Sequence, residues 1–158
     1  MAIVNIRDTG RNSAKTSDVR ELAEKVQKPS DTEAITAANT ITAAESGTRF
    51  VMNTATARIQ PLPSPAAGLE YWFYVGATEP TGTHTVVTAS SANIIVGNVS
   101  SPEDAAGHVA TVTDADTISL VASKAVHGDY AHVWSDGTNW YLDGMCKVQD
   151  GITTTQAS

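Results

Sequence analysis

Residues 129–144 constrain this chain more than any other stretch. They read Asp-Tyr-Ala-His-Val-Trp-Ser-Asp-Gly-Thr-Asn-Trp-Tyr-Leu-Asp-Gly. Asp136-Gly137 between two alternating segments is a strong short-range signal for a β-hairpin, because a two-residue type I′ turn needs positive φ at both central positions. A two-residue turn there sets Val133 opposite Trp140 and Ala131 opposite Leu142, which makes one apolar face. Trp134 then meets Asn139 and His132 meets Tyr141 on the other face, with Tyr130 beyond. Side chains alternate with period two, so a strand cannot turn all of these to one side. The hairpin has one face for a core and a second face rich in aromatics that something must cover.

A second run repeats this pattern. Leu69, Tyr71, Phe73 and Val75 share one face of an extended segment, and Glu70, Trp72 and Tyr74 share the other. Aromatic and β-branched residues at this density favour strand. Further short strands are expected at 49–52, 57–60, 83–89 and 92–96, with turns at 45–47 and 78–82. Pro61, Pro63 and Pro65 end the strand at 57–60, since proline supplies no ladder donor. Residues 108–113 and 117–121, around Asp114-Ala-Asp116, are expected to form another hairpin. Eight or nine strands spaced about 8–12 residues apart give the pattern of an all-β, jelly-roll-like sandwich or barrel. Connections too short for a parallel crossover predict mainly antiparallel sheets.

The first 34 residues differ from this body. Residues 18–28 predict a short helix: Ser17 or Asp18 caps it, with Glu21 three positions after Asp18, and Val19, Leu22, Ala23 and Val26 form an apolar stripe before Pro29. The formal net charge is −7. Residues 1–30 hold six of the ten Lys and Arg and four of the seventeen Asp and Glu, so they carry +2 against −9 for the rest. The expected organisation is an N-terminal arm over 1–34, a β domain over 35–150 and a flexible tail over 151–158. An acidic body argues against nucleic acid as partner, because phosphate neutralisation needs clustered Lys and Arg. No apolar run reaches the ~18 residues of a membrane span, and the start lacks a secretory signal, so synthesis in a cytoplasm is expected.

The motifs for chemistry are sparse. The chain has no phosphate-binding glycine loop, no paired cysteines and no nucleophile elbow. The single Cys146 reads as a small buried residue. His127, Asp129 and His132 are close in sequence, but Asp129 and His132 point to opposite sides of a strand, so no metal site is expected. Asp114/Asp116 and Glu103/Asp104 are acid pairs in loops, read as turn carboxylates in preference to a calcium site. No catalytic residue and no cofactor is assigned, and the expected class is not an enzyme. The informative set is Trp72, Tyr74, Tyr130, His132, Trp134 and Tyr141. These six fill a second core layer, meet another subunit or partner, or form a platform on which a sugar stacks.

The order of strand and turn motifs resembles small structural proteins of tailed phages. The matching residues are Ser46, Gly47 and Phe50; Leu62 and Pro63; Gly68, Tyr71 and Phe73; Ile94, Ile95, Val96 and Gly97; and Ser135, Asp136, Gly137, Trp140 and Tyr141. Over about residues 40–144 the chain looks like capsid decoration (cement) proteins and is similar to modules of phage tail fibres. The resemblance implies a structural virion protein, commonly a homotrimer, on the capsid exterior. There it bridges neighbouring subunits of the major capsid protein and resists internal pressure. The alternative it implies is a tail-fibre or receptor- or carbohydrate-binding module. Arg7, Arg11, Lys15 and Arg20 are then candidates for an arm that contacts the capsid.

Overall fold

The computed structural model describes residues 31–101 and 108–158. The expected helix at 18–28, the arm residues Arg7, Arg11, Lys15 and Arg20, and the acid pair Glu103/Asp104 lie outside the described residues. The described chain is almost entirely strand. Its elements are β1 (Thr32–Ile35), β2 (Arg49–Met52), β3 (Ile59–Pro61), β4 (Glu70–Val75), β5 (His84–Val87), β6 (Ile95–Ser101), β7 (His108–Ala115), β8 (Thr117–Leu120), β9 (Tyr130–Ser135), β10 (Trp140–Met145) and β11 (Ile152–Thr155). Two short 3-10 turns, at Ala43–Glu45 and Ala89–Ser91, are the only helical turns among the described residues. Eleven strands exceed the eight or nine expected.

The strands form two sheets. The larger has seven strands in the order β1-β2-β4-β9-β10-β6-β7, and the smaller has four in the order β11-β8-β5-β3. The sheets are mixed, where mainly antiparallel pairing was expected: β1–β2, β2–β4, β10–β6 and β3–β5 are parallel. The other five pairings are antiparallel. The reason lies in the connections. Between parallel β2 and β4 the chain runs through β3, a strand of the smaller sheet, and between parallel β3 and β5 it runs through β4, a strand of the larger. A strand of the opposite sheet thus takes the part that a helix usually plays in a parallel crossover.

One continuous cluster of buried side chains draws on both sheets. Phe50, Met52, Tyr71, Phe73, Val75, Ala131, Val133, Trp140 and Leu142 come from the larger, and Val86, Ile118, Leu120 and Ile152 from the smaller. Phe50 stacks on Phe73 with ring centroids 5.5 Å apart, and Tyr71 tilts against Trp140 at 5.9 Å. The Tyr71 hydroxyl donates to the Thr42 carbonyl at 2.9 Å. Burial, helped by the nearby Glu45 carboxylate, pushes its pKa up to about 12.

Two further expectations are corrected. Residues 108–113 and 117–121 do not pair with each other. The chain turns a corner at Asp116, leaving β7 in the larger sheet and entering β8 in the smaller. Backbone bonds fix that corner: Asp116 N–H donates to Thr155 O and Asp116 O accepts from Thr88 N–H, both at 2.9 Å. Residues 151–158, expected as a flexible tail, carry β11, which pairs antiparallel with β8 from Ile152↔Leu120 to Thr155↔Thr117. Asn93 exchanges two hydrogen bonds with the Ala157 backbone, at 2.9 and 3.2 Å, and holds the end of this segment.

His84 illustrates how buried polar groups serve the fold. Its side chain is fully buried. Nδ1 accepts from the Arg58 N–H at 3.1 Å, and Nε2 lies 2.9 Å from the Thr54 carbonyl, which makes it the protonated nitrogen of a neutral ring. Burial lowers the pKa below the ordinary 6.5, opposed by the Thr54 bond and reinforced by the Arg58 charge. The unfolded chain therefore takes up the proton first on acidification. The contribution of His84 to stability is complete above about pH 6.5 and falls as the pH drops toward the lower folded value. An NMR titration is expected to show the neutral ring with its proton on Nε2 and a midpoint below that of a free histidine. A midpoint at or above the free value would contradict this assignment.

Candidate functional site: the outer face of the seven-stranded sheet

The turn of the central hairpin sets the site. Asp136 does not take positive φ; among these turn residues only Gly137 does, at +101°. The Asp136 carboxylate instead accepts from the N–H groups of Thr138 and Asn139, both at 2.8 Å, and from the Tyr141 hydroxyl at 2.9 Å. The Asn139 and Thr138 bonds, and then the Tyr141 bond, hold its pKa below the ordinary value. The same Tyr141–Asp136 bond raises that of Tyr141. Four residues rather than two thus join β9 to β10, and the first pair is Ser135↔Trp140. Val133 lies opposite Leu142, Ala131 opposite Gly144 and Trp134 opposite Tyr141, a register two residues away from the expected one. An even slip leaves every side chain on its expected face. Ala131, Val133, Trp140 and Leu142 are all buried.

All six candidate aromatic and histidine residues lie on the opposite, outward face. They do not fill a second buried layer: Trp134 is 44% exposed and the other five are half-buried. Trp72 stacks on His132 at 3.8 Å and on Tyr74 at 6.0 Å. Tyr130 tilts against both Trp72 and Tyr74 at 5.7 Å. Trp134 stacks on Tyr141 at 4.3 Å. Glu70 Oε1 ties the first group together, accepting from Trp72 Nε1 at 3.2 Å and lying 3.0 Å from His132 Nε2.

The strand registers extend this cluster into rows that cross the sheet. One row runs Ala34, Val51, Tyr74, Tyr130, Met145, Ser100, Val109, one residue from each of the seven strands. Every member is apolar or small, and Met145 and Val109 are 42% and 53% exposed. The adjacent row runs Thr32, Arg49, Trp72, His132, Asp143, Asn98, Thr111 and carries Arg49 and Asp143. A third, shorter row is Glu70, Trp134, Tyr141, Val96. Arg49, Val51, Asp143 and Met145 were missed from sequence. Their signal was the parity of strands 49–52 and 140–145, which places them on the side away from Phe50 and Leu142.

The other sequence candidates are dispersed. Asp129 is buried and bonds backbone; His127 is exposed in the preceding loop; His132 belongs to the aromatic cluster. Asp114 is exposed and Asp116 buried at the β7–β8 corner. Cys146 is buried, 3.8 Å from the Ser100 carbonyl. Among the described residues no group of three or more His, Cys, Asp or Glu is placed to hold a metal ion. An open pocket of about 210 Å3 lies along residues 33–39 beside β1. A single stretch of chain forms its wall, so it brings no groups together from separate elements. Among the described residues no helix is long and apolar enough to cross a membrane.

Comparison with protein-family models, with curated proteins and with solved structures returns no match to this chain.

Proposed function

We propose that this chain is a structural virion protein that binds the outer surface of a phage capsid and stabilises the shell by bridging neighbouring subunits of the major capsid protein. In this reading the two sheets are the layers of a sandwich. The observation that carries the proposal is the placement of the aromatics. They line an outward sheet face, where large rigid side chains make protein contacts, while buried polar groups such as His84 and Asp129 are engaged in holding backbone. The order of motifs over residues 40–144 supports the phage setting. A protein of this kind needs no chemistry: it binds assembled shell better than free subunits and stabilises the shell by that difference.

The basic residues Arg7, Arg11, Lys15 and Arg20 are, in this proposal, the arm that reaches the capsid. Purified protein mixed with undecorated heads is expected to co-sediment with them and to raise the temperature at which they rupture. Deleting residues 1–30, which leaves β1 intact, is expected to weaken binding at least about tenfold. Heads that neither bind nor gain stability would overturn the decoration reading, and unchanged affinity after the deletion would overturn the role of the arm.

A second reading, a tail-fibre or carbohydrate-binding module, is favoured by one feature. Trp134 is exposed and stacked on Tyr141 beside the ordered Asp136 carboxylate, an aromatic surface with a hydrogen-bond acceptor at its edge. Binding on a glycan array that is lost in Trp134→Ala would favour this module over decoration.

A further inference from the structure

We infer that the outer face of the seven-stranded sheet is the contact between two copies of this chain, related by a two-fold axis that runs along the strands between β4 and β9. The inference rests on the reading of this face as a protein contact, assigns that contact to a second copy, and sets a two-fold pair in place of the homotrimer that the resemblance implies. It rests on the pattern of residues across the face, which is complementary to itself. A two-fold axis parallel to the strands at the β4/β9 seam sets β4 of one copy over β9 of the other, β2 over β10 and β1 over β6. In the charged row this brings Arg49 over Asp143 twice, Trp72 over His132 twice and Thr32 over Asn98 twice. In the apolar row it brings Tyr74 over Tyr130, Val51 over Met145 and Ala34 over Ser100.

Opposite charges meet at Arg49/Asp143, polar residues at Thr32/Asn98, aromatic rings at Trp72/His132 and Tyr74/Tyr130, and apolar side chains at Val51/Met145, and no like charges are opposed in these two rows. A two-fold contact requires this of one surface, since the same patch must serve both partners. Arg49 and Asp143 are both exposed, one at each flank of the aromatic cluster. The six opposed strands, at ~4.8 Å spacing and ~3.3 Å per residue, present roughly 500 Å2 in projection, and more as accessible surface, against the ~800 Å2 per partner of a standard interface. Two such sheets pack face to face with strands nearly aligned, the common geometry for stacked sheets.

The test is the mass of the full chain in solution, by light scattering and sedimentation at concentrations up to about 100 µM. The expected mass is that of two chains. Arg49→Asp and Asp143→Arg are each expected to raise the dissociation constant at least about tenfold, because each opposes like charges at two symmetric points. The doubly reversed variant is expected to return to near the original value, since the pair is restored with its signs exchanged. Met145→Glu gives an independent probe and is expected to weaken the dimer by burying a charge against Val51 of the second copy. A monomer, a trimer, or a dimer indifferent to both single reversals would overturn the inference. A dimer that ignores undecorated heads would keep it while removing the decoration reading. A monomer that stabilises heads would do the opposite.

Discussion

Gly97→Ala is expected to destabilise the protein by about 4 kcal/mol or more, the range reserved for substitutions that force backbone apart. Gly97 has φ +147°, and a Cβ built on it would lie 2.0 Å from the Leu142 carbonyl oxygen and 2.8 Å from the Leu142 nitrogen and carbonyl carbon. Those are backbone atoms of β10, which runs parallel to β6 with Leu142 opposite Gly97. No side-chain rearrangement relieves such an overlap. The register shift in β6 between Ile95 and Gly97 marks the same point on the β7 side. Gly47 is the control. Its φ is +88°, but nothing lies within 4 Å of a built Cβ, so Gly47→Ala carries only the conformational cost of about 1 kcal/mol. Urea denaturation of the two variants measures the difference. Equal losses would mean that β6 does not press against β10 as described.

The second large effect is expected at Asp129. Its side chain is 1% exposed. Oδ2 accepts from the Val126 N–H at 2.9 Å, and Oδ1 from the Lys147 N–H at 3.1 Å. One carboxylate thus joins the loop before β9 to the segment after β10, and the Lys147 Nζ donates back to the His127 carbonyl. Asp129→Ala leaves two N–H groups unsatisfied and is expected to cost about 3 kcal/mol. Asp129→Asn keeps one acceptor and is expected to fall between. Amide exchange at Val126 and Lys147 is expected to accelerate before the rest of the sheet opens. A variant as stable as the parent, with both amides still protected, would show that other groups hold this junction.

Much of the larger sheet was legible in the sequence because period two is a robust signal. The alternations at 69–75 and 130–142 assigned each side chain to a face, and those assignments survived a turn that was misjudged by two residues. The turn failed for a local reason: Asp136 uses its carboxylate to organise a four-residue loop, whereas Asp-Gly as a pattern suggests a two-residue one. Parallel pairing was not legible. Loop lengths count residues between neighbouring strands and do not say that the intervening strand belongs to another sheet. The corner at Asp116 has the same origin. Asp114 and Asp116 signal a change of direction, and a change of direction serves a switch between sheets as well as a hairpin. β11 was missed because Ile152-Thr-Thr-Thr has little apolar surface of its own and is strand only because β8 offers an edge. For the candidate site, the six aromatics were readable, whereas the rows that join them to Arg49, Val51, Asp143 and Met145 depend on registers between strands distant in sequence.

The hairpin of β9 and β10 stands in the middle of the larger sheet, with β1, β2 and β4 on one side and β6 and β7 on the other. Both flanks precede it in the sequence. A ribosome therefore delivers two separate edges first and the piece that joins them afterwards, and the sheet closes from its centre once residues 130–145 emerge. Until then each flank exposes an open strand edge, and contacts between distant segments form slowly. Nascent chains halted before residue 130 are the stage at which this protein most needs a chaperone.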